Sequence, residues 1–124
     1  MLKIKTGTST NSQASMAGKE AAAQVKENLQ DMKMAFVYSG VQYDQKELLD
    51  AVSEELPGVP LIGNTSFTGV ITQEGFVSSS DGFVGVMALS DPELKVSVAG
   101  MPKEGTARET GHKVAAEALR RSGK

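Results

Sequence analysis

Leu2-Lys3-Ile4-Lys5-Thr6 alternates apolar with polar residues and predicts a strand covered on one face. Gly7 and the run Thr8-Ser9-Thr10-Asn11-Ser12 predict the turn that ends it and the cap of a helix. From about Gln13 to Gln30, Ala14, Gly18, Ala21, Val25 and Leu29 recur at helical spacing, while Lys19, Glu20, Lys26 and Glu27 supply the wet face. A stripe of mostly Ala and Gly implies close packing against a sheet. Met34-Ala35-Phe36-Val37-Tyr38 is apolar without alternation, the pattern of a strand covered on both faces. Asp44 and Glu47 have capping-box spacing, and Leu48, Leu49, Val52 and Leu56 give the next helix an apolar face that stops at Pro57-Gly58. Val59-Pro60-Leu61-Ile62 is the next expected strand.

The pattern then changes. Phe67 to Ile71, Phe76 to Ser78, Gly82 to Leu89 and Leu94 to Val98 follow one another across turn-like connections, which predicts antiparallel hairpins. A last helix starts at Thr106, three residues before Glu109, with Ala107, Gly111, Val114, Ala115, Ala118 and Leu119 on its apolar side. Arg120, Arg121 and Lys124 sit at its carboxyl end, where positive charge opposes the helix dipole. The fold class is therefore α/β: a β-α-β-α-β start in a mixed sheet, then antiparallel hairpins and a C-terminal helix. With 124 residues and no long linker, one domain over 1–124 is expected.

Composition removes several functions. Thirteen Lys and Arg against fifteen Asp and Glu, with four Phe, two Tyr and no Trp, give neither the charge nor the stacking platform of a nucleic-acid binder. No run approaches the ~20 apolar residues of a membrane span, and no signal-peptide core follows Met1, so a soluble, cytoplasmic protein without a membrane partner is expected. There is no cysteine and one histidine, which excludes thiol chemistry and an imidazole-rich metal site within one chain. Neither glycine-rich nucleotide cradle occurs, and no cofactor is expected. His112 reads as a solvent-facing helix residue, Asp81 as part of a hairpin turn, and the scattered methionines as core filler.

Two segments carry candidate chemistry. Gly63-Asn64-Thr65-Ser66-Phe67-Thr68-Gly69 follows a buried strand, where ligands of open α/β sheets bind, and offers a carboxamide, three hydroxyls and an aromatic ring between glycines. Its plain alternative is a turn whose hydroxyls satisfy local backbone groups. Thr8 to Ser12 precedes a helix, whose free amides and adjacent hydroxyls suit an anion or carboxylate, or serve only as a cap. If the first and third strands are neighbours, the two loops line one sheet edge.

Gly7-Thr8-Ser9, the Ala-rich first helix, Phe36-Val37-Tyr38-Ser39, Pro60 to Gly69 and Phe83-Val84-Gly85-Val86-Met87-Ala88-Leu89 resemble the FIST amino-terminal domain. That resemblance implies a sensory module of signalling proteins suggested to bind small ligands such as amino acids. Family members often carry cysteine where this chain has Asn64, so any role of that thiol is absent here. Their domains also continue beyond this length, which implies a truncated or minimal version whose site is incomplete or completed by a second copy.

The leading expectation is a ligand-sensing domain without a catalytic residue, contacting a small polar metabolite through Thr8, Ser9, Thr10, Asn64, Thr65, Ser66 and Phe67. Hydroxyls and amides would hold a carboxylate or amide, Asn64 would orient it, and Phe67 would cover an apolar part. One alternative is a homodimeric or other homo-oligomeric interaction module, with Leu94 to Val98 as a pairing edge. The other is a hydrolase-like enzyme with Thr65 or Ser66 as nucleophile, for which no base lies nearby in sequence.

Overall fold

A computed structural model gives the fold and describes residues 1–123; Lys124 lies outside the described residues. The chain forms two compact units, Met1–Pro92 and Glu93–Lys124.

In the first unit, β1 (Lys3–Ser9), α1 (Ala14–Asn28), β2 (Met34–Ser39), α2 (Gln45–Glu55) and β3 (Leu61–Thr65) precede the hairpin β4 (Val70–Thr72) and β5 (Gly75–Val77), and β6 (Val84–Ser90) ends the series. The four-stranded sheet has the order β1-β6-β2-β3, and β4-β5 form a sheet of their own. β6 is antiparallel to both β1 and β2, and β3 is parallel to β2, so β1, β2 and β3 all point the same way. The consecutive β-α-β start is thus split by a strand from far along the chain. β1 and β3 are not neighbours; they are the opposite edges of the sheet.

Ala17, Ala21, Ala22 and Val25 of α1, with Leu48 and Val52 of α2 and Leu56 at its carboxyl cap, bury against Ala35, Val37, Val84, Val86 and Ala88 of the central strands. The small stripe of α1 allows a close approach. A Cβ on Gly7 would collide with the carbonyl oxygen of Ala21, and one on Gly18 would stand 2.8 Å from the Leu48 oxygen. Gly7 therefore does not end β1, as its residue type suggests. The strand continues through it to Ser9, because Gly7, Thr8 and Ser9 pair with Val86, Gly85 and Val84.

The caps follow the sequence at α2, where the Asp44 carboxylate accepts from the Glu47 amide at 3.0 Å. α1 differs: its cap residue is Gln13, without a side-chain cap bond, and Asn11 Oδ1 accepts from the Gln13 amide at 3.0 Å. β3 begins two residues later than its apolar run suggests. Pro60 cannot donate to a ladder, and its carbonyl accepts from the Ala35 amide as the pairing starts.

The second unit contains α3 (Ala107–Arg121), whose capping box is complete: Thr106 accepts from the Glu109 amide at 3.2 Å and donates its own amide to Glu109 Oε2 at 3.1 Å. Glu117 accepts from Arg120 and Arg121, and their guanidinium groups hold its carboxyl down at about 2. Leu94 to Val98 belongs to no ladder. Instead Ser97 Oγ donates to the Ala118 carbonyl at 2.6 Å and the Val98 carbonyl accepts from Arg121 at 2.9 Å. No helix among the described residues is long and apolar enough to cross a membrane.

Candidate functional site

The carboxyl ends of β1, β2 and β3 lie at one end of the sheet, in the register Ser9, Val84, Ser39, Thr65. Three strand spacings separate Ser9 from Thr65, roughly 14 Å. The two polar segments therefore share an end of the sheet but not an edge.

At the β1 side the polar groups are engaged with one another. Ser9 Oγ donates to Glu20 Oε2 at 2.6 Å and accepts from the Asn11 amide at 3.1 Å, and Asn11 Nδ2 donates to Glu20 Oε1 at 3.1 Å. The buried Tyr43 hydroxyl donates to the Asn11 carbonyl at 2.6 Å. Burial first, and the Glu20 carboxylate second, push the Tyr43 phenol above its ordinary value. Thr8 gives its amide and carbonyl to the carboxamide of Gln24, and Thr10 is exposed. The nearby hollow between the amino ends of α1 and α2 carries Asp44 and Glu47, a poor setting for an anion.

At the β3 side a groove of about 340 Å³ runs between α2 and the strands β2 and β3. Its walls are Val37 and Ser39 from β2, Gln45, Leu49 and Ser53 from α2, and Leu61 to Thr65 from β3. No charged side chain is among them. Gln45 is fixed at three points: Oε1 accepts from the Ser39 hydroxyl at 3.0 Å, and Nε2 donates to the carbonyls of Gly40 and Tyr43, each at 3.1 Å. The hydroxyls of Ser53 and Thr65, both exposed, remain to meet a solute.

Of the residues singled out in sequence, the groove brings together Asn64 and Thr65. Asn64 pairs with Tyr38, whose ring stacks on Phe36 at a centroid distance of 6.3 Å. Thr65 pairs with Ser39, a groove residue. Since successive strand residues face opposite ways, Thr65 turns its hydroxyl toward the α2 side and Asn64 contributes its main chain to the groove. Ser66 holds the turn: its amide donates to the Ser39 carbonyl at 2.8 Å and its hydroxyl to the Gly69 carbonyl at 2.5 Å. Phe67 is 92% exposed and lines no wall. Ser39, Gln45, Leu49 and Ser53 were not singled out as site residues. The spacing of four between Gln45, Leu49 and Ser53, beside the core stripe of α2, was the available signal.

Asp81 lies in a turn in which its amide donates to Ser79 Oγ and Gly82 adopts φ 133°. His112 is exposed on α3. Among the described residues, no three His, Asp or Glu side chains gather as a metal site would require.

A family model described as the FIST N domain matches residues 33–123, from the start of β2 through α3. The chain belongs to that family. Comparison with curated proteins finds no match. The FIST N domain is a sensory, signal-transduction type of domain. The matched region contains β2, α2 and β3, the three elements that build the groove, whereas Thr8 to Thr10 precede it.

Proposed function

We propose that this FIST N domain senses a small polar metabolite, of amino-acid size, in the groove between α2 and β3. The observation that carries this reading is the groove itself: about 340 Å³ of concave surface, with an apolar floor of Val37, Leu49 and Leu61 and hydroxyls at its rim. Small-molecule sites have this composition, a mostly apolar wall with a few placed polar groups. One helix and two strands hold it, and the triple anchoring of Gln45 spares a ligand the cost of ordering that wall.

The uncharged wall favours hydroxyl, amide or compact zwitterionic ligands over multiply charged ones, because a charge leaving water needs an opposite partner. In this reading Thr65 and Ser53 bond the polar end of the ligand and Leu49 covers its apolar part. Ser66 serves by shaping the turn, and Thr8, Ser9 and Thr10 stabilise the far edge. The absence of a titratable side chain in the groove wall leaves the Thr65 hydroxyl without a local base and weighs against the hydrolase reading.

Melting the protein against a panel of amino acids and organic acids tests the proposal. A ligand at a hundredfold its Kd stabilises the native state by about 2.7 kcal/mol. A saturable rise in melting temperature, lost in Thr65→Val, supports the reading. No rise with any member of the panel overturns it.

A further inference from the structure

The two edges of the sheet are built differently. At β1, Lys3 and Lys5 place charge along the strand, and Gln24 closes the main chain of Thr8: the Thr8 amide donates to Oε1 at 3.0 Å and the Thr8 carbonyl accepts from Nε2 at 2.8 Å. Lysines and covered main-chain groups are means by which sheets resist adding strands. β3, the other edge, has none of them. Leu61-Ile62-Gly63-Asn64-Thr65 contains no charge and no proline, and Ile62 through Thr65 are exposed.

Its main chain is also arranged for one kind of partner. The ladder with β2 opens on the Pro60 carbonyl, which accepts from Ala35, and closes on the Ser66 amide, which donates to Ser39. In a parallel ladder between those ends the even positions bond inward, so Leu61, Gly63 and Thr65 present N–H and C=O outward. Three outward residues with Gly63 at the centre are complementary to their own copy. An antiparallel approach about a two-fold axis at Gly63 sets Leu61 against the partner's Thr65 and Gly63 against the partner's Gly63, each pair exchanging two hydrogen bonds. The strand is uncharged, so this approach brings no like charges together, whereas β1 carries Lys3 and Lys5.

We propose that two copies of this chain pair through β3, antiparallel about Gly63, and join their sheets into one of eight strands. The pairing uses the main chain of the edge and does not depend on a ligand in the groove.

In that register Ile62 stands opposite the partner's Asn64, which permits a test by charge. The double variant Ile62→Glu/Asn64→Glu sets like charges face to face, whereas Ile62→Lys/Asn64→Glu sets opposite ones. Sedimentation of the full chain should give twice 13.0 kDa for the parent and the opposite-charge variant, and the single mass for the like-charge variant, with both variants showing the parent's helical circular dichroism. Hydrogen exchange on the unaltered chain gives a second readout that needs no variant. The amides of Leu61, Gly63 and Thr65 should slow as concentration rises, while those of Ile62 and Asn64, already bonded to β2, stay unchanged. A parent that sediments at the single mass at every concentration overturns the proposal, as does a dimer that the like-charge variant leaves intact or exchange that ignores concentration.

Discussion

The Ser39 hydroxyl donates to Gln45 Oε1 at 3.0 Å, tying the carboxyl end of a central strand to the first residue of α2. Ser39 is buried, and the same carboxamide satisfies the carbonyls of Gly40 and Tyr43. Gln45→Ala removes all three bonds at once. A buried group left unpaired costs about 1–3 kcal/mol, so urea unfolding should show a loss in that range. The groove should also lose its defined wall, so any ligand response should weaken more in Gln45→Ala than in Lys46→Ala, whose ion pair with Asp50 is exposed.

Gly7 tests the packing that brings α1 down onto the sheet. A Cβ there meets the Ala21 carbonyl oxygen and the Gln24 Cβ, which are backbone and the root of a side chain and cannot swing aside. Overpacking of this kind costs about 1–3 kcal/mol, so Gly7→Ala should lower the denaturation midpoint clearly. Gly100→Ala is the control: nothing lies within 4 Å of its added Cβ, and its midpoint should match the parent's.

Tyr43 gives the alkaline limb of stability a specific cause. Its phenol is raised above 10.0 by burial and by Glu20, so the folded state holds that proton more tightly than the unfolded chain does. The stability from this group is complete below pH 10 and is lost as pH rises past 10 through the folded value. Tyr43→Phe should flatten the decline of stability above pH 10. At neutral pH it should cost about 1 kcal/mol, since the Asn11 carbonyl loses its donor.

Local chemistry was legible where one segment decides its own structure. Asp44 and Thr106 cap the helices their spacing announces, and the Ala and Gly stripe of α1 does pack tightly. Long-range pairing was not. Nothing in Val84 to Ser90 states that it will lie between β1 and β2, and that insertion is what sends Thr8 and Thr65 to opposite edges. The same limit applies to Leu94 to Val98, whose alternation suits a strand that finds no ladder here. The polar loop after Ile62 was visible as a candidate, but β2 draws Gly63 to Thr65 into a strand. That pairing turns Thr65 toward α2 and leaves Phe67 in solvent. The bond between Ser39 and Gln45 was not legible, because it joins two elements and is written in neither segment alone.

The measurement closest to the central claim is an amide NMR titration at fixed protein concentration with the best stabilising compound from the metabolite panel. The groove reading predicts saturable shifts concentrated at Gln45, Leu49, Gly63 and Thr65, with Thr8 to Asn11 unmoved. Shifts confined to Thr8 to Asn11, or none at saturating ligand, would contradict it.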